Sequence, residues 1–241
     1  MKRLMIRKIT LTLVFLLILG VSGCGGGKGM KGPSDAARVT PEELYRQGAE
    51  QYQKGRYKKA IESFQRLKEQ FPLHRLAPDA EMGIADAYFS DGSYVDAELA
   101  YRDFIYRQPN HENLPYAMYR VGMSHYKEMG EIDRDQTDTF MALKEFKRLI
   151  ARFPRSKYAF LAERHVLECR KRLAEREFYV GNYYFTRGNY RGALGRFETI
   201  LKEYRGVGMD YKVQYFIEES KKGLIRQEAE EKAKREKEEK K

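Results

Sequence analysis

The chain has 241 residues, with 46 Lys and Arg against 35 Asp and Glu, a formal net charge of +11 and only two cysteines. Two cysteines, Cys24 and Cys169, allow at most one internal disulfide, and the length allows one or two domains. A basic balance in a cytosolic protein would point to nucleic acid, so the compartment has to be settled before the charge is read.

The chain opens with Lys2, Arg3, Arg7 and Lys8, and an uncharged apolar run follows from Ile9 to Gly20, which reads as an export signal. From Ile9 to Gly23 is 15 residues, short of the roughly 20 that a bilayer-spanning helix needs. The run ends in Val21-Ser22-Gly23-Cys24, a lipobox pattern. Only a thiol forms the thioether to diacylglycerol, and two or more acyl chains anchor stably. Residues 1–23 are therefore expected to be a lipoprotein signal peptide and Cys24 the lipidated residue. Gly25 follows where an aspartate would hold a lipoprotein at the inner membrane, which favours the periplasmic face of the outer membrane. Residues 24–39, rich in glycine, read as a lipidated flexible tether. Cleavage removes four basic and no acidic side chains, lowering the balance from +11 to +7. Beyond the inner membrane this charge points to acidic protein surfaces or anionic head groups and not to nucleic acid. Lipidation consumes Cys24, so Cys169 is expected to be a buried small hydrophobe.

One pattern then recurs: Gly-x-Tyr, an alanine three residues on, an aromatic four after it, and a proline near the end. The copies are Gly55 to Pro72, Gly92 to Pro109 and Gly188 to Arg205, with another unit ending at Phe140 to Pro154. This is a repeat of helix hairpins. A helix A ends at the glycine, and a helix B presents a small residue (Ala60, Ala97, Ala142, Ala193) that lets helix A approach. Phe64, Tyr101, Phe146 and Phe197 enter the same inter-helix groove one turn later. Proline stops helix B at Pro72, Pro109 and Pro154, and Arg205-Gly206 does so in the last copy. The alanines are 37, 45 and 51 residues apart, against about 34 for a tetratricopeptide repeat. Met129 to Thr139 replaces the turn of the third unit and is expected to be a surface loop. Residues 155–187 contain no strong breaker and are compatible with one long helix or two. Gly181 matches the small residue of helix A and reads as packing. Asp210 to Ile225 is expected to close the solenoid, and residues 226–241 form a charged tail, solvated helix or disordered.

His74, His111, His125 and His165 are scattered without the spacing of a zinc pair, and the glycines lack the strand and helix of a phosphate loop. No catalytic residue, metal or cofactor is expected. The basic stretches Lys147 to Lys157 and Arg164 to Arg176 are solvated helix faces or docking faces for an acidic partner.

Three segments sharpen the reading: PNHENLPYAMYRVGMSHY (Pro109 to Tyr126), DRDQT (Asp133 to Thr137) with FPRSKYA (Phe153 to Ala159), and RLAEREFYVGNYYFTRGNY (Arg172 to Tyr190). Each resembles the BamD family of outer-membrane assembly lipoproteins, and the resemblance runs from Cys24 to about Ile225. The chain departs from the family in a shorter loop at Met129, a glycine-rich tether and a charged C-terminal tail. What the resemblance implies is an all-α fold, a right-handed superhelical solenoid of about five tetratricopeptide repeats over residues 40–225. The N-terminal half, 40–154, would receive nascent outer-membrane proteins. The C-terminal half, 155–225, would bind the POTRA domains of BamA, with other BAM lipoproteins as further partners. Arg196 matches a family arginine on the face turned to BamA.

For the substrate side the residues supply their own argument. Counting along helix A from Gly48, Ala85 and Gly122 places Tyr45, Tyr52, Met82, Phe89, Tyr116, Tyr119, Met123 and Tyr126 along one groove, suited to an extended peptide with an aromatic end. Two other classes stay open: a Tol-Pal or cell-wall-linked repeat lipoprotein, and a lipoprotein that binds anionic lipid or glycan.

Overall fold

The computed structural model describes residues 39–240; the expected export signal, Cys24 and the tether up to residue 38 lie outside them. From Thr40 onward the described residues are all-α. The helices are α1 (Pro41–Gln53), α2 (Tyr57–Gln70), α3 (Ala77–Ser90), α4 (Tyr94–Arg107), α5 (Leu114–Glu128), α6 (Thr137–Arg152), α7 (Lys157–Thr186), α8 (Tyr190–Glu203) and α9 (Asp210–Glu239). Each packs mainly on its neighbours in sequence, with α1 also touching α3 and α5 touching α7. That is the quasi-one-dimensional stacking of a tetratricopeptide solenoid.

Within a repeat the pairing rests on a ring against a small residue, a glycine in three hairpins and Ala85 beside Tyr101 in the other. Phe64, Tyr101, Phe146 and Phe197 are at most 3% exposed. A methyl group on Gly48 would sit 2.5 Å from the Phe64 ring, on Gly122 2.6 Å from Phe146, and on Gly181 2.6 Å from Phe197. Gly83 of the following repeat meets the same Phe64 ring at 2.7 Å, so this ring is held between two glycines. The chain leaves α1, α3 and α7 through Gly55, Gly92 and Gly188 at φ of 68°, 83° and 73°, a conformation that a side chain would strain.

Between repeats the B helices end two residues before the expected prolines, at Gln70, Arg107 and Arg152. The proline ring bars helical ψ at the residue before it, and Phe71, Gln108 and Phe153 take ψ of 56°, 56° and 59°. Two residues after each proline a side chain caps the chain entering the next repeat. His74 Nδ1 accepts from the Leu76 amide at 3.3 Å and His111 Nδ1 from the Asn113 amide at 3.1 Å. Ser156 Oγ accepts from the Ala159 amide at 3.0 Å.

Residues 157–186 are one helix. Its N-terminal half packs with Ala162, Cys169 and Leu173 against Phe146 and Leu149, and its C-terminal half brings Ala174 to Phe197 and Ile200. Adjacent residues, Leu173 and Ala174, thus belong to consecutive cores. Burial pushes the Cys169 thiol up to about 12, so it behaves as a small hydrophobe.

Two segments differ from expectation. The loop between α5 and α6 is shorter than Met129 to Thr139, because helix α6 starts at Thr137, and it is pinned. The buried Gln136 donates to the carbonyls of Glu131 (2.8 Å) and Arg134 (3.2 Å), and Arg172 donates to the Gly130 carbonyl at 3.0 Å. Helix α9 does not stop near Ile225. It packs as far as Gly223, where a methyl group would meet the Tyr190 ring at 2.5 Å, and continues as an exposed helix to Glu239.

Candidate functional site

The A helices α1, α3 and α5 and the first half of α7 lie side by side, and the tyrosines expected to line a groove fall along them. On α1, Tyr45 packs its ring 5.6 Å from Phe64, and the Tyr52 hydroxyl meets Ser90 Oγ of α3 at 2.8 Å. A small cavity of about 180 Å³ opens between these helices, lined by Tyr45, Tyr52, Phe64 and Asp86 among others.

At the centre stands a polar pair that counting apolar positions missed. The Asp86 carboxylate accepts hydrogen bonds from Tyr101 and, at 2.6 Å, from Tyr116. Arg120 lies 3.7 Å from Asp86, donates to the Tyr101 hydroxyl at 3.0 Å and places its guanidinium 3.6 Å above the Phe89 ring. Burial first, and then the Asp86 charge, raise both tyrosines above their ordinary value, which keeps them as donors. The signal for Asp86 and Arg120 was present: they lie one residue after Ala85 and two before Gly122, next to positions chosen only for aromatic or methionine side chains.

Further along, α7 contributes residues that were not anticipated at all. Tyr119 shares a hydrogen bond with His165 Nε2 at 3.0 Å, and Tyr126 donates to Glu168 at 2.9 Å. His165 Nδ1 lies 3.0 Å from Glu168. A carboxylate only accepts, so Nδ1 carries the proton that bonds Glu168. Burial opposes the charge on Glu168, but hydrogen bonds from Tyr126, His165 and Arg164 outweigh it and hold the carboxyl below its ordinary value. Burial together with Glu168 pushes the Tyr126 hydroxyl up to about 12. Tyr158 closes the cluster, 5.3 Å from Tyr116 and 5.8 Å from Tyr119.

Met82 is the exception among the eight groove positions. It is 7% exposed and packs with Ala97, Tyr101 and Val121 inside the inter-helix core, because an unbranched thioether folds into a gap that a tyrosine ring cannot enter. Met123 is half-buried against the core that contains Phe146. The remaining six are half-exposed tyrosines and Phe89. The hydroxyls of Tyr52, Tyr119 and Tyr126 are engaged with the next A helix and that of Tyr116 with the preceding one, which leaves ring faces for contact.

Arg196 lies apart on α8, exposed, with its guanidinium 3.1 Å from Glu177 of α7. Near it in sequence, a larger cavity of about 460 Å³ is lined by Ile132, Phe178, Tyr179 and Lys212 among others, with the Lys212 ammonium 4.0 Å over the Phe178 ring. Among the described residues no group of three or more His, Cys, Asp or Glu side chains is placed to hold a metal ion.

The family model described as YfiO, outer membrane lipoprotein, matches residues 37–236. The outer membrane protein assembly factor BamD of Rickettsia prowazekii (strain Madrid E) is 30% identical over 214 residues, covering 88% of this chain and 84% of that protein. BamD of Neisseria gonorrhoeae is 29% identical, covering 83% and 78%. Among solved structures, the chain in the TPR2AB-domain:pHSP90-complex of yeast Sti1 aligns at 16% identity with a TM-score of 0.45, over 77% of this chain and 71% of that one. With the family model spanning nearly the whole stack of hairpins, the chain belongs to the YfiO family of outer membrane lipoproteins.

Proposed function

We propose that the chain is the non-enzymatic scaffold lipoprotein of the outer-membrane β-barrel assembly complex. It is anchored through Cys24 on the periplasmic face of the outer membrane, and it positions nascent barrel proteins against BamA. The observation that carries this reading is the match to an outer membrane protein assembly factor over 84% of that protein's length.

The geometry supports a division of labour. Along the N-terminal half and the start of α7, half-buried tyrosine rings flank the Asp86–Arg120 pair, which suits an extended peptide laying aromatic side chains on ring faces. In the C-terminal half, Arg196 is exposed, and its partner Glu177 is on the adjacent helix. A stronger acidic partner on the POTRA domains of BamA would draw it away.

The test is a pull-down of the tagged mature lipoprotein from its own membranes, with bound chains identified by mass spectrometry. The expected result is recovery of a POTRA-containing barrel protein, reduced by Arg196→Glu. Charge reversal is a cleaner probe than deleting residues from Arg172 onward, because that cut severs α7 where it serves two cores. Recovery of Tol-system or peptidoglycan enzymes alone would sink the reading.

A further inference from the structure

The basic stretch that begins at Lys147 has a physical setting away from the tyrosine groove. Helix α6 turns Lys144, Lys147, Arg148 and Arg152 to solvent, and its one carboxylate in that segment, Glu145, is only 6% exposed. Beside it, α4 presents an apolar line of Val95, Leu99 and Tyr106, which are 65%, 60% and 86% exposed. The two B helices are joined by Arg102, which bridges Glu98 of its own helix and Glu145 of α6 at 2.6 and 3.0 Å. Between them lies a cavity of about 370 Å³ lined by Ile105, Tyr106 and Met118, by Arg102, Arg148 and Arg152, and by Glu145.

The charges there are not balanced from within. Glu145 is already held by Arg102, and Arg148 reaches it only at 3.7 Å. No carboxylate lies within 4 Å of Arg152 among the described residues. The site therefore combines unspent guanidinium charge with an apolar recess. We propose that the α4–α6 face docks an acidic protein segment carrying one large apolar side chain, its carboxylates on Arg148 and Arg152 and the apolar group in the recess.

Charge complementarity selects this occupant. Arginine forks match carboxylates two bonds at a time, and an apolar pocket beside them gives a peptide an anchor that a lipid head group lacks. The segment ahead of the helices does not supply the sign, since Lys28, Lys31 and Arg38 outnumber Asp35. The site is independent of what the tyrosine groove holds.

The test uses the detergent-solubilised full-length chain and a fluorescein-labelled peptide of Asp and Glu around a single Phe, with binding followed by anisotropy. Saturable binding is expected that weakens as salt rises and falls about tenfold or more in Arg148→Glu/Arg152→Glu. Tyr106→Ser should weaken it without changing the salt dependence. All these side chains are on the surface, and unchanged helical circular dichroism would show that the variants fold. Three results overturn the proposal: no saturable binding, binding lost in Arg120→Gln but kept in the double arginine variant, or displacement by soluble short-chain phosphatidylglycerol as effective as by unlabelled peptide. None of these bears on recovery of a barrel protein from membranes, so the two readings fail separately.

Discussion

The two halves of the solenoid hold consecutive repeats together by different means. In the N-terminal half, and from it to the start of α7, each repeat boundary is a break in the helix, and the A helices are cross-linked by side chains: Tyr52 to Ser90, Tyr116 to Asp86, Tyr119 to His165 and Tyr126 to Glu168. In the C-terminal half the boundary has no break, and α7 passes from one core to the next between Leu173 and Ala174. Hydrogen bonds between tyrosines and their partners fix relative position while leaving each hairpin a unit. A continuous helix makes two repeats move as one. On the proposed reading, the first arrangement suits a surface that receives varied chains and the second suits a permanent docking platform.

Mutations can separate these modes. The largest effect is expected from Phe146→Ala, which empties the slot beside Gly122 at the junction of the halves and should cost about 3–5 kcal/mol in chemical denaturation. Next, Lys171→Pro alters an exposed position of α7 whose side chain reaches only Glu175, at 4.0 Å, so its loss of about 3 kcal/mol would come chiefly from the backbone. It should also split a single unfolding transition into two, and an unsplit transition would show that the continuity of α7 does not couple the repeats. Ser156→Ala removes the cap at the boundary before α7 and should cost about 1 kcal/mol by the same denaturation assay.

The smallest effects are read through pH. Tyr126 has a raised folded value of about 12, so its contribution is complete below the ordinary tyrosine value of about 10 and is lost as pH rises towards 12. Glu168 has a lowered value, so its contribution is present above the ordinary carboxylate range and lost as pH falls through the folded value. Tyr126→Phe should remove one tyrosinate step near pH 12 from the absorbance titration, while Tyr101 and Tyr116, raised further, stay protonated there. Glu168→Gln should flatten the acid limb of the stability profile. If both profiles match the parent chain, the hydroxyl cross-links do not hold the N-terminal half.

How much of this was legible in the sequence depends on the range of the contact. The ring-to-glycine slots follow from spacing within one hairpin, so Phe64, Phe146, Phe197 and Gly181 could be placed from the repeat pattern. The Tyr119–His165 and Tyr126–Glu168 pairs lie 46 and 42 residues apart, across a boundary whose geometry the pattern did not specify. His74 and His111 read in the sequence as scattered histidines, because their capping role shows only when Ser156 is seen at the same place in the third turn. Met82 misled because the small-residue count assigns a face from the backbone alone, whereas its burial comes from neighbours on other helices, Ala97, Tyr101 and Val121. The continuity of α7 was undecidable from local signals, since the absence of a breaker permits a long helix without requiring one.

The ring of Phe64, held between Gly48 and Gly83, acts as a washer between successive A helices. Its thickness is a constant of chemistry, so the pitch at that point is set by a part that neither compresses nor swells. Glycine on both sides means that no methyl can be shimmed in without forcing the helices apart. On the proposed reading, the tyrosine-lined track has its spacing machined into the stack before any chain arrives, and a guest would match that gauge rather than set it.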